Sequence, residues 1–224
     1  MNCKYLFFYL LLWLISGCQK ETTPTLHVNA YCHYDEQAGN IRAEATFFEG
    51  DTLQTVRAKV FQSGVSFLGS GMKTRQLPGG TVRYEQERKI ALPEQLPLFF
   101  KETADREKTI MLPLHPIRSF NFSDSILSAS KGFSLTFDGE PLSAGEKLIF
   151  LFSDKNNQNL NLEIAGPVAG QTLTVTSAKL ASLAPGPGQV YLVRTNLQEE
   201  KDGYYDLTLQ TEFYSKITQV AIGK

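Results

Sequence analysis

The sequence predicts an all-β protein whose antiparallel sheets pack as β-sandwiches, and two observations carry that expectation. Apolar and polar residues alternate with a period of two along most of the chain, which buries one face of a strand and wets the other. Clusters of Gly, Pro, Asn and Asp cut this alternation into many short runs, as at Asp35 to Asn40, Pro78-Gly79-Gly80, Asp138 to Gly145, Asp154 to Asn159 and Glu199 to Gly203.

The N-terminal stretch comes first. Met1 to Lys4 carries one positive charge, and Tyr5 to Ile15 is apolar. That run is well short of the roughly 20 residues a membrane-spanning helix needs. Ser16 and Gly17 are small, as a signal peptidase requires, and Cys18 follows directly. Ile15-Ser16-Gly17-Cys18 resembles the lipobox of bacterial lipoproteins. By that resemblance residues 1–17 are a lipoprotein signal peptide cut after Gly17, and Cys18 receives diacylglycerol on its thiol and an acyl chain on its freed amine. Each buried CH₂ contributes about 0.8 kcal/mol and stable anchoring takes more than one chain. A triacylated Cys18 meets that requirement. Residues 18–24 read as a polar tether. The lack of Asp just after Cys18 favours the outer membrane, periplasmic or surface-facing.

Strands follow in order. Leu26, Val28, Ala30, Cys32 and Tyr34 form the apolar face of the first, with His27, Asn29, Tyr31 and His33 on the other. Ile41 to Phe47, Val56 to Val60, Phe133 to Phe137 and Tyr205 to Phe213 alternate in the same way. Leu148 to Phe152 is apolar throughout, the mark of a central strand covered on both sides. One short helix is expected, capped by Thr176 or Ser177, with Leu180 and Leu183 pointing one way. Pro113 and Pro116 each remove a ladder donor, so a central strand cannot continue there. This sets the expected domains at 25–115 and 116–224, each near the size of an immunoglobulin-like unit. An internal echo agrees: Val65-Ser66-Phe67-Leu68-Gly69 and Leu135-Thr136-Phe137-Asp138-Gly139 share the pattern aliphatic, hydroxyl, Phe, any, Gly.

The lipobox, these strand-turn units and the hairpin from Pro97 to Pro113 together resemble the immunoglobulin-like outer-membrane lipoproteins of Bacteroidota. The resemblance implies location and two immunoglobulin-like antiparallel β-sandwich domains in tandem. It implies no activity. Asp51-Thr52-Leu53 and Asp124-Ser125-Ile126 match the short O-glycosylation sequon of that phylum, at Thr52 and Ser125, though turn or strand-edge hydroxyls are the commoner meaning of such triplets.

Composition excludes some functions. Lys plus Arg number 22 against 23 Asp plus Glu, for a formal net charge of −1, and no basic stripe marks a nucleic-acid partner. With Cys3 in the signal and Cys18 lipidated, Cys32 stands alone as a small core residue. No Gly-x-Ser-x-Gly elbow is present, and His27, His33 and His115 neighbour no serine motif. His27 and His33 share a strand face but lie about 20 Å apart, too far to hold one ion. The loop from Asp154 to Asn159 lacks the Gly and terminal Glu of a calcium loop. Gly69 to Thr74 fails the phosphate-loop spacing. No cofactor and no metal are expected. Exposed aromatics beside polar groups would suit a glycan or protein contact, and Tyr31, His33 and Tyr204 are the candidates. The expected function is a lipid-anchored, non-enzymatic binding module for protein or glycan. The alternatives are a subunit or accessory of a surface fibre or uptake complex working by strand addition, and a hydrolase with a dispersed site.

Overall fold

A computed structural model describes residues 24–52, 54–128 and 130–224. Ile15, Ser16, Gly17 and Cys18 therefore lie outside the described residues. No helix among the described residues is long and apolar enough to cross a membrane.

The protein is all-β. The strands are β1 (Leu26–Asp35), β2 (Asn40–Glu49), β3 (Arg57–Ala58), β4 (Val65–Phe67), β5 (Ser70–Gly71), β6 (Lys73–Gln76), β7 (Val82–Lys89), β8 (Pro97–Thr103) and β9 (Arg106–Met111). After the proline segment come β10 (Ser119–Phe122), β11 (Ile126–Ser128), β12 (Phe133–Asp138), β13 (Glu146–Ser153), β14 (Asn159–Ala165), β15 (Thr172–Val175), β16 (Gly186–Asp202), β17 (Tyr205–Tyr214) and β18 (Thr218–Gly223). Residues 112–118 belong to no strand, as Pro113 and Pro116 require. The expected helix is a single 3-10 turn at Ser177–Lys179, with Leu180 and Leu183 buried beyond it.

One large sheet has the order β11-β18-β16-β17-β1-β2-β7-β6, with β13 and β14 joined to it through β16 and β3 joined to β2. A three-stranded sheet, β10-β12-β15, and a four-stranded sheet, β5-β4-β8-β9, accompany it. The sheets pack face to face in two places. On β2, Phe47 meets Phe100 of β8 with ring centroids 4.9 Å apart. On β12, Phe133 meets Phe150 and Phe152 of β13 at 5.8 and 5.9 Å.

Strand pairing crosses the expected break between 115 and 116. β1 runs parallel to β17 over ten residue pairs, Leu26↔Tyr205 to Asp35↔Tyr214. β16 is 17 residues long; it pairs with β13 through residues 189–196 and with β17 through residues 193–202. The hairpin β16–β17 thus runs out of the second half and supplies β17 as the neighbour of β1. The large sheet is also mixed rather than purely antiparallel, since β1–β17 and β11–β18 are parallel pairs.

Two further expectations need correction. Val56 to Val60 is not a half-buried strand: only Arg57–Ala58 pair, both exposed, and Val60 is 52% exposed. That segment borders the end of β2, and its apolar side chains do not join the buried core. Leu148 to Phe152 is central between β14 and β16 but covered on one face only; Ile149 and Leu151 point to the half-open side.

Candidate functional site

The alternation along β1 sends Leu26 to Tyr34 inward and His27, Asn29, Tyr31 and His33 onto the outer face. On β17 the same parity puts Thr208, Gln210, Glu212 and Tyr214 on that face. The parallel register then sets Tyr31 opposite Gln210 and His33 opposite Glu212. Both Tyr31 and Tyr214 donate their hydroxyls to Glu212 Oε2, each at 2.8 Å. Gln210 Nε2 donates to Glu212 Oε1 at 3.2 Å. The His33 ring lies between them, edge-on to Tyr214 at 5.7 Å and tilted to Tyr31 at 6.1 Å. Two phenols are therefore fixed on one carboxylate, with the His33 ring packed between them.

Burial pushes the Tyr31 and Tyr214 phenols above their ordinary range, and the Glu212 carboxylate reinforces the shift. Both remain neutral donors near pH 7. Beside Tyr31 a shallow hollow of about 210 Å³ is bordered by Asn29, Glu44, Arg83 and Gln210. Arg83 Nη1 bonds Glu44 Oε2 at 2.7 Å, so the far wall of the hollow is an ion pair. Half-exposed rings with carboxylate and amide neighbours suit stacking and hydrogen bonding to a sugar or to a partner's side chains.

Of the residues the sequence singled out, Tyr31 and His33 meet here. Tyr204 does not. It sits at the β16–β17 turn, where its hydroxyl donates to Glu102 and lies 2.6 Å from the Tyr205 hydroxyl, with Arg106 4.9 Å above its ring. Its neighbour Tyr205 pairs with Leu26, five residues and about 17 Å along the strand from Tyr31. Tyr204 thus ties the turn to the β8–β9 hairpin. Cys32 is fully buried and its thiol is pushed up to about 12 by that burial, in keeping with a core role. Thr52 and Ser125 both lie exposed in turns. Reading the chain in isolation missed Glu212 and Tyr214, although the alternation from Asp206 onward marks their face.

A second polar cluster lies under the proline segment. The Arg194 guanidinium bonds the Glu146 carboxylate twice, Nε to Oε1 at 2.9 Å and Nη2 to Oε2 at 2.8 Å. His115 Nδ1 lies 2.7 Å from Oε1, and Ser143 donates its N–H and hydroxyl to Oε2 at 2.6 and 2.9 Å. Burial alone would raise the Glu146 carboxyl, but His115, Arg194 and Ser143 together hold it well below the usual carboxylate range. Imidazole and serine are both bound to the carboxylate; the Ser143 hydroxyl proton is committed to Glu146, and His115 Nε2 faces Glu140 at 3.7 Å. The cluster does not assemble the serine–histidine pair that nucleophilic catalysis uses. Asp154 plays a local part, accepting the N–H groups of Asn156, Gln158 and Ala184 at 2.8–2.9 Å. Among the described residues no group of three His, Cys, Asp or Glu is placed to hold a metal ion.

No protein-family profile and no curated protein matches this chain. Among solved structures it is similar to the crystal structure of a tetra-tandem repeat in the extending region of a large adhesion protein, with a TM-score of 0.33 and 9% identity. The superposition covers 88% of this chain and 49% of that one, so the chain spans about half the length of the protein it matches.

Proposed function

We propose that this protein is a lipid-anchored envelope protein that acts as a non-enzymatic binding module for a protein or glycan partner. The observation that carries the reading is the Tyr31–His33–Tyr214 group on the outer face of the large sheet, its two phenols held by Glu212 and the His33 ring packed between them. Rings positioned by hydrogen bonds lose little freedom on binding, which favours contact there. In this reading acyl chains on Cys18 hold the chain at the outer membrane, residues 18–24 give reach, and two immunoglobulin-like sandwich units present the face.

One experiment with two arms tests it. Metabolic palmitate labelling should mark the wild-type chain and not Cys18→Ser; an unmarked wild type overturns the anchor. The soluble chain should bind a component of an array of envelope glycans and outer-membrane proteins. Tyr31→Ala and His33→Ala should weaken that binding about tenfold with the melting temperature nearly unchanged. Binding that survives both substitutions removes this face from the contact.

A further inference from the structure

The edge of the large sheet is notched. β7 runs from Val82 to Lys89, but its outer neighbour β6 pairs only with Val82 to Glu85. The reason lies one residue before β6. Met72 turns into the core, buried, with its N–H donating to the Val65 carbonyl at 2.8 Å, so the chain leaves for β5 in the four-stranded sheet. Gln86, Glu87, Arg88 and Lys89 have no strand on that side among the described residues. In an antiparallel ladder, alternate residues of such a stretch aim their N–H and C=O outward, unpaired.

A groove of about 520 Å³ occupies the notch. Arg42, Lys73, Arg75 and Arg88 line it against Glu85 and Glu87, on a chain whose formal net charge is −1. Among the described residues Lys73, Arg75 and Arg88 form no ion pair. At the groove the buried Gln86 Oε1 has no hydrogen-bond partner among the described residues, while Glu85 Oε2 lies 3.4 Å from Arg83 Nη2. The notch therefore offers a short strand edge, one orphaned acceptor for an N–H donor and an excess of positive charge.

We propose that this notch captures an extended, acidic peptide segment of a partner protein, which adds a short strand to β7 where β6 stops. The main-chain edge selects a peptide, because strand addition draws its affinity from backbone hydrogen bonds. The three cations without an ion pair, Lys73, Arg75 and Arg88, select acidic residues beside that backbone, Arg42 being paired with Glu44. The inference rests on the interaction-module reading and narrows it to one partner chemistry at one edge.

Fluorescence polarisation on the whole soluble chain tests it, with a labelled Thr-Glu-Thr-Glu-Thr-Glu peptide as probe. We expect saturable binding that weakens with added salt and falls about tenfold or more in Lys73→Glu and Arg75→Glu, two exposed positions whose reversal leaves the core intact. The same peptide N-methylated at alternate residues should fail to bind, because it cannot complete the ladder. Equal binding of the N-methylated peptide, stronger binding of polygalacturonate, or no saturable binding at millimolar peptide overturns the proposal. Self-association that the peptide does not compete away also overturns it, since a second copy would then fill the edge. Failure here alongside binding that depends on Tyr31 would remove the notch and leave the outer-face reading standing.

Discussion

Glu146 shows how much one buried carboxylate can carry. It is 1% exposed and Arg194 2%, so protein groups rather than water solvate both charges, and each is the other's buried counter-charge. Glu146→Gln keeps the shape and leaves the guanidinium unpaired, a change that costs about 3–5 kcal/mol in such pairs; urea unfolding would read it directly. The pH dependence follows from the same contacts. The folded carboxyl lies below its usual range, so between the folded and unfolded values the unfolded chain binds the extra proton. The stabilisation is full above the unfolded value of about 4.3 and is lost as the pH falls through and below it. Urea midpoints taken from about pH 6 down to pH 3 should fall more steeply for wild type than for Glu146→Gln. Parallel slopes would mean that the cluster contributes nothing to acid sensitivity. The sequence marked His115 but not this network, because its members sit in a linker, a turn and two strands that only tertiary packing brings together.

At the level of the element, alternation was readable where a second layer covers the strand. β1, β2, β12 and β17 bury the residues their period assigns to the core. Val56 to Val60 has the same period and failed, because a period reports what a strand would bury and not whether a layer lies opposite. The echo between residues 65–69 and 135–139 divides similarly. Phe67 and Phe137 are both buried, and a glycine with positive φ follows each by two residues. The glycines differ in role. Gly69 and Leu68 form a two-residue turn with φ of 72° and 51°, and a Cβ at Gly69 would meet open space. A Cβ at Gly139 would lie 2.8 Å from the Pro116 carbonyl oxygen, at φ 153°. Gly69→Asn should therefore change stability by less than about 1 kcal/mol, since Asn tolerates the left-handed region. Gly139→Ala should cost about 1–3 kcal/mol. Thermal melts of the two variants compare them directly, and equal losses would mean that the Pro116 contact is not tight.

At the scale of the whole molecule, the parallel β1–β17 ladder was the feature least readable from sequence. Its partners are about 180 residues apart, and no turn signal links them. It decides how the molecule should come apart. Cutting between 115 and 116 strips β17 from β1 and removes Tyr205, Leu207, Leu209 and Phe213 from beside the core of the first half, all four buried in the intact chain. Burying such a side chain contributes about 1.5–3 kcal/mol, so the loss is about 6–12 kcal/mol, comparable with the whole stability of a domain at about 5–15 kcal/mol. It also bares one edge of β1, ten residues long, with every other side chain apolar. Residues 25–115 alone should therefore give a poorly dispersed amide spectrum and aggregate, and a peptide of residues 197–214 added in trans should restore dispersion. The intact chain should unfold in one transition by far-UV circular dichroism and by tyrosine fluorescence, because the buried apolar residues of both halves form one connected cluster. A soluble, well-dispersed 25–115 fragment would show that the proline segment is a true seam and that β16–β17 merely rests on a unit already complete.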